Sequence, residues 1–116
     1  MNFDWSKYST LAQEWKPSDK EELLRCSISR AYYAFYHSLR TFKGMSVGRQ
    51  KHNNVKDKLK ESEDPEEIKL AFHLGNLQES REYADYDSFK KVDANFVNSF
   101  FSRLEVAEEL FRTLKL

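Results

Sequence analysis

The chain has 116 residues, and its 19 Lys and Arg balance 19 Asp and Glu to a formal charge of zero. It carries 3 Gly and 2 Pro, where average usage would make about 12% of the chain, which argues against a sandwich or barrel of tight turns and for long helices. A pI near 6.8 argues against a general nucleic-acid footprint and leaves RNA contact to a local patch or cleft.

The size suits one domain over residues 1–116, of all-α class. The single cysteine, Cys26, excludes an intramolecular disulfide and a Cys-based zinc site and fits a reducing cytosol. No stretch approaches 18 apolar residues, and the opening MNFDWSKY has no basic flank before an apolar run. Neither a membrane span nor a signal peptide is therefore expected, and a cytoplasmic location follows.

Five helical segments are expected, arranged as an up-and-down bundle. Over residues 3–15, Trp5, Tyr8, Leu11, Ala12 and Trp15 recur at the spacing of a helix with one buried face. Lys16-Pro17 ends it, and Ser18-Asp19-Lys20-Glu21 reads as a capping box opening a long helix to Phe42, with Gly44 as its left-handed cap. Residues 45–50 read as a loop, and residues 52–61 as a short helix carrying Val55 and Leu59. Asp64-Pro65-Glu66-Glu67 is a second helix start, an Asp cap with Pro at the first helical position, leading past Arg81 towards Asp85. A break over residues 87–91 precedes a terminal amphipathic helix over residues 93–116 marked by Phe96, Val97, Phe100, Leu104, Ala107, Phe111 and Leu114.

The second helix has two stripes. At about 100° per residue, Leu24, Ile28, Ala31, Phe35, Leu39 and Phe42 fall on one side and face the core. Arg30, Tyr33, His37 and Arg40 gather nearly opposite, with Cys26 close by. Tyr and Arg are enriched at subunit interfaces, so this second stripe suits an interface or a ligand cleft, the plain alternative being a solvated face. An uncovered stripe of this kind predicts a homodimer.

The run Ile28-Ser29-Arg30-Ala31-Tyr32-Tyr33-Ala34-Phe35-Tyr36-His37 resembles the signature helix of one branch of the HEPN superfamily, small helical proteins of bacteria and archaea. Three further pieces agree in order: Phe3-Asp4-Trp5 with Leu11-Ala12, the stretch Lys51-His52-Asn53-Asn54-Val55, and Leu77 with Arg81, Ala84, Asp85 and Tyr86, similar to an R-x-x-A-D-Y segment. The resemblance implies a HEPN-like four- or five-helix bundle acting as a dimer in a toxin–antitoxin or phage-defence system. Its implied partners are RNA, a nucleotide, or a cognate protein such as a nucleotidyltransferase.

Catalytic members are metal-independent ribonucleases using Arg, four to six residues, then His. Such chemistry wants an acid/base near neutral pH and a cation for the scissile phosphate. Here the corresponding segment is Arg81-Glu82-Tyr83-Ala84-Asp85-Tyr86, with Asp85 nearest the place of the catalytic His. An ionised Asp repels phosphate and is a poor acid at pH 7, so an Arg81–Asp85 ion pair one turn apart is expected instead. Arg30 and His37 also satisfy Arg-x6-His, on the earlier helix.

Two readings therefore stand. The first is a non-catalytic or degenerate dimeric module whose binding or interface residues are Arg30, Tyr33, His37, Arg40, Lys51, His52, Arg81, Asp85 and Tyr86. The second is a metal-independent endoribonuclease with Arg30 and His37 catalytic. Weak, salt-sensitive RNA binding through the Arg30, Tyr33 and His37 stripe, reduced by Arg30→Ala, is expected. Neither reading requires a cofactor. No two of His37, His52 and His73 are spaced i,i+4 on a helix, and no metal site is expected. The adjacent pairs Glu66-Glu67 and Glu108-Glu109 read as solvated charge.

Overall fold

A computed structural model describes residues 3–45 and 52–116, with side chains of the third helix described from Val55 onward. Five helices follow in order: α1 Ser6–Trp15, α2 Glu21–Phe42, α3 His52–Lys60, α4 Pro65–Tyr86 and α5 Ala94–Leu114. There is no strand among the described residues, and the architecture is an all-α helical bundle. No described helix is long and apolar enough to cross a membrane.

Contacts at the helix ends give the directions. Arg25 near the start of α2 reaches the carbonyl of Ala84 at the end of α4, while Lys43 just past α2 pairs with Glu67 in the first turn of α4, so these two helices are antiparallel. Tyr83 stacks on Phe96 with ring centroids 4.8 Å apart, and Phe42 meets Phe111 edge-on at 5.3 Å, so α5 is antiparallel to α4 and parallel to α2. Helix α1 lies antiparallel on α2, with Trp5 against His37 and Tyr8 beneath the Arg30 guanidinium. Helix α3 packs on α4.

Most expected caps form. Asp64 accepts from the Glu66 N–H (2.9 Å) with Pro65 at the first helical position, and a further cap forms where Asp93 accepts from the Phe96 N–H (2.9 Å). Gly44 has φ +67°, and the bonds Gly44 N–H to Thr41 O and Met45 N–H to Arg40 O complete a left-handed helix terminus. The capping box at Ser18–Glu21 does not form. Lys20 is the N-cap residue, and the Ser18 hydroxyl accepts from the Lys20 N–H within its own turn. The Glu21 carboxylate is drawn away to the Val92 N–H and to Arg25. Longer-range partners outbid the local motif.

The core stripe of α2 is as expected, with Leu24, Ile28, Ala31, Phe35 and Leu39 buried and Phe42 half-buried. It meets Leu70, Leu74 and Leu77 of α4 and Val97, Phe100, Leu104, Ala107 and Phe111 of α5 in one cluster. Each fully buried aliphatic side chain there contributes about 1.5–3 kcal/mol. However, α2 is buried nearly all round: Tyr32, Tyr36 and Arg40 on its other sides are also covered.

Candidate functional site

The Arg81 guanidinium is the centre of a buried polar cluster between α2 and α4. Arg81 follows Leu70, Leu74 and Leu77 along the inner face of α4, and is 6% exposed. Its Nη1 lies 3.4 Å from Asp85 Oδ2, which also accepts from the Ser29 hydroxyl at 3.3 Å. Around it stand the rings of Tyr32, Tyr33 and Tyr86, with centroids 5.4, 5.5 and 6.0 Å from the guanidinium carbon. Burial works against the charge, but Tyr33, Tyr32 and Asp85 outweigh it and hold the guanidinium above its ordinary pKa. The same burial pushes the Tyr32 and Tyr36 hydroxyls up. Arg81 Nε has no hydrogen-bond partner among the described residues. The expected ion pair with Asp85 is thus formed, reinforced by cation–π contacts.

The second stripe of α2 is organised differently from expectation. It does not face outwards uncovered, because α1 lies across it. The Trp5 indole stacks on the His37 imidazole at 3.6 Å with 14° between planes, and the Tyr8 ring lies 5.0 Å from the Arg30 guanidinium. Arg40, assigned to the same outward stripe, is buried: its Nε donates to His37 Nδ1 at 3.2 Å and its Nη1 to the Met45 carbonyl at 3.3 Å. With Nδ1 accepting and one ring face under Trp5, His37 serves packing within the bundle. Tyr33 joins the two clusters, its ring 6.4 Å from His37 and also beside Arg81. The α2 stripe therefore needs no second protomer to cover it, since the amphipathic α1 does so from within the chain.

Arg81, Asp85, Tyr86 and Tyr33 are thus brought together, while Arg30, His37 and Arg40 face α1 and the end of α2. Lys51 and the loop over residues 46–50 lie outside the described residues, and of His52 only the backbone, at the start of α3, is described. The pair Glu66-Glu67 is not simply solvated: Glu67 is half-buried in its ion pair with Lys43.

The sequence reading missed a third cluster. Arg25 donates through Nη1 to the carbonyls of Ala84 (2.9 Å) and Asp87 (2.7 Å), through Nη2 to that of Lys90 (2.7 Å), and through both Nε and Nη2 to Glu21. It caps the C-terminus of α4, whose last carbonyls lack helical partners. Glu21 accepts from the Val92 N–H at 2.8 Å, and that bond together with Arg25 keeps its carboxyl below the ordinary range. The i,i+4 spacing of Glu21 and Arg25 was readable; the carbonyl partners, about sixty residues on, were not. Beside this clamp opens a cavity of about 420 Å³ between the start of α2 and the end of α4.

No group of three or more His, Cys, Asp or Glu converges among the described residues. Compared with protein-family models, with curated proteins and with solved structures, the chain matches none of them.

Proposed function

We propose that the chain is a non-catalytic HEPN-type dimeric module that holds a protein partner within a bacterial defence or toxin–antitoxin system, and does not cut RNA. The Arg81–Asp85 pair carries this reading. At the position where active members need an imidazole there is a carboxylate, and the cation that would hold a phosphate is buried against that carboxylate and three tyrosine rings. A phosphate approaching Arg81 would have to displace Asp85 and meet its negative charge.

The packing of the two motif segments supports the resemblance. The ISRAYYAFYH run lies on α2, the R-x-x-A-D-Y segment ends α4, and the two touch through Arg81 on Tyr32 and Tyr33 and through Ser29 on Asp85. Among RNA, a nucleotide and a cognate protein, charge favours the protein. The chain is neutral overall, and Arg25, Arg40 and Arg81 each find partners inside the fold. The endoribonuclease alternative needs Arg30 and His37 presented together to substrate, whereas Tyr8 and Trp5 of the α1 region lie on them.

Incubation of a labelled RNA pool with the protein in EDTA, with His37→Ala alongside, tests the reading. Neither protein should cleave. Metal-independent cleavage that His37→Ala abolishes would overturn it.

A further inference from the structure

The connection between α4 and α5 combines a fixed backbone with an exposed aromatic tip. Arg25 binds the carbonyls of Asp87 and Lys90, Glu21 holds the Val92 N–H, and the Asp87 carboxylate accepts from the Phe89 N–H at 2.9 Å. The loop over residues 87–93 is thus tied down at four points. Yet Phe89 at its tip is 97% exposed, and Tyr86 at the end of α4 is 77% exposed, its ring seated near Arg81. A rigid loop that presents a whole phenyl ring to water gains nothing within the chain from that ring.

The neighbouring charges are divided in a matching way. Lys90 and Lys91 directly follow Phe89 and form no ion pair among the described residues; Glu22 and Asp87, on the wall of the 420 Å³ cavity that Arg25 and Tyr86 also line, form none either. Lys91 lies near enough to Glu21 to help keep its carboxylate ionised, so the basic knob and the acidic cavity share a border. A surface holding a knob and an oppositely charged hollow side by side is self-complementary under a two-fold rotation.

We propose that a second copy of the chain docks on this surface, Phe89 of each protomer entering the partner's cavity while Lys90 and Lys91 face the acids across the two-fold axis. This rests on the dimeric reading above and names its interface. The α1-covered stripe of α2 takes no part. Preorganisation by Arg25 means that docking orders little further chain, which favours association.

Sedimentation velocity at about 100 µM tests the interface. Wild-type protein should sediment at twice the 13.8 kDa chain mass, and Phe89→Ser should weaken dimerisation by about tenfold or more. Lys91→Glu and Glu22→Lys should each be monomeric alone, because both contacts become repulsive. Mixed one to one they should form a heterodimer, in which both contacts are restored. A dimer unaffected by Phe89→Ser, or no heterodimer from the mixture, overturns the proposed interface while leaving the dimeric module standing. A wild-type monomer overturns both. A monomer that instead binds single-stranded RNA in a Phe89-dependent way assigns the patch to base stacking and overturns the second-copy proposal.

Discussion

Arg81 and Arg25 show how the same residue type does two jobs through different surroundings. Arg81 is buried among tyrosine faces, with Asp85 as its nearer carboxylate at 3.4 Å and the exposed Glu82 at 3.9 Å, so its contribution to stability depends on not leaving Asp85 unpaired. Arg81→Ala should cost about 3 kcal/mol, the low end for a broken buried pair because Asp85 sits at the rim. Arg81→Met, which keeps the volume and the ring contacts but equally leaves Asp85 unpaired, should cost nearly as much. Urea denaturation of both variants checks this, and a much smaller loss in Arg81→Met would show that packing, not charge pairing, is the source. Glu21 gives a pH signature. Its folded pKa lies below the unfolded value near 4.5 because of the Val92 N–H and Arg25, so its contribution is present above that value and lost as pH falls through the folded pKa. Melting temperature should therefore drop on acidification below about pH 4.5, and Glu21→Gln should flatten that part of the profile. An unchanged slope in Glu21→Gln would contradict the assignment.

At the level of elements, α1 is the piece most dependent on a few contacts. It is 10 residues long, too short to be stable alone in water, with only Ala12 buried, and it is held through Trp5, Tyr8 and the rings they meet on α2. Trp5→Ala should cost about 2 kcal/mol, less than the 3–5 of a fully buried aromatic. The loss should show first as faster amide exchange over residues 6–15, with α2 and α4 unaffected; uniform acceleration throughout would mean that α1 is integral to the core. The terminus of α2 offers a second test. A Cβ at Gly44 meets nothing within 4 Å, so Gly44→Ala carries only the left-handed backbone penalty of its φ of +67°, about 1 kcal/mol, measurable as a shift in denaturation midpoint. A loss several-fold larger would point to a packing role.

For the whole molecule, neutrality and internal use of the cations set the expectation for nucleic acid. A phosphate-holding cleft on Arg30, Tyr33 and His37 would give affinity falling steeply with salt, with a slope of about −0.7 per single-strand contact. With Arg30 against Tyr8 and His37 between Trp5 and Arg40, titrations of short single-stranded RNA at two salt concentrations should show no such slope. A steep one, reduced by Arg30→Ala, would reinstate the cleft.

The sequence by itself determined the class, the five elements and the inward stripes, because periodicity, Pro, Gly and Asp caps act within a few residues of one another. Leu24, Ile28 and Leu39, the Asp64 cap and the Gly44 terminus were all legible on that ground, as was the Arg81–Asp85 pair at one helical turn. Only the tertiary structure decided what covers the other side of α2. Amphipathic spacing says that a stripe needs cover and not which element supplies it, so Arg30, Tyr33, His37 and Arg40 read as an open face until α1 was laid across them. The same limit applied to Ser18 and Glu21: a capping box is a local competition, and Glu21 left it for Val92, 71 residues away, and for Arg25. Arg25 is one helical turn from Glu21, but Val92 reaches it only once α2 and α4 pack antiparallel.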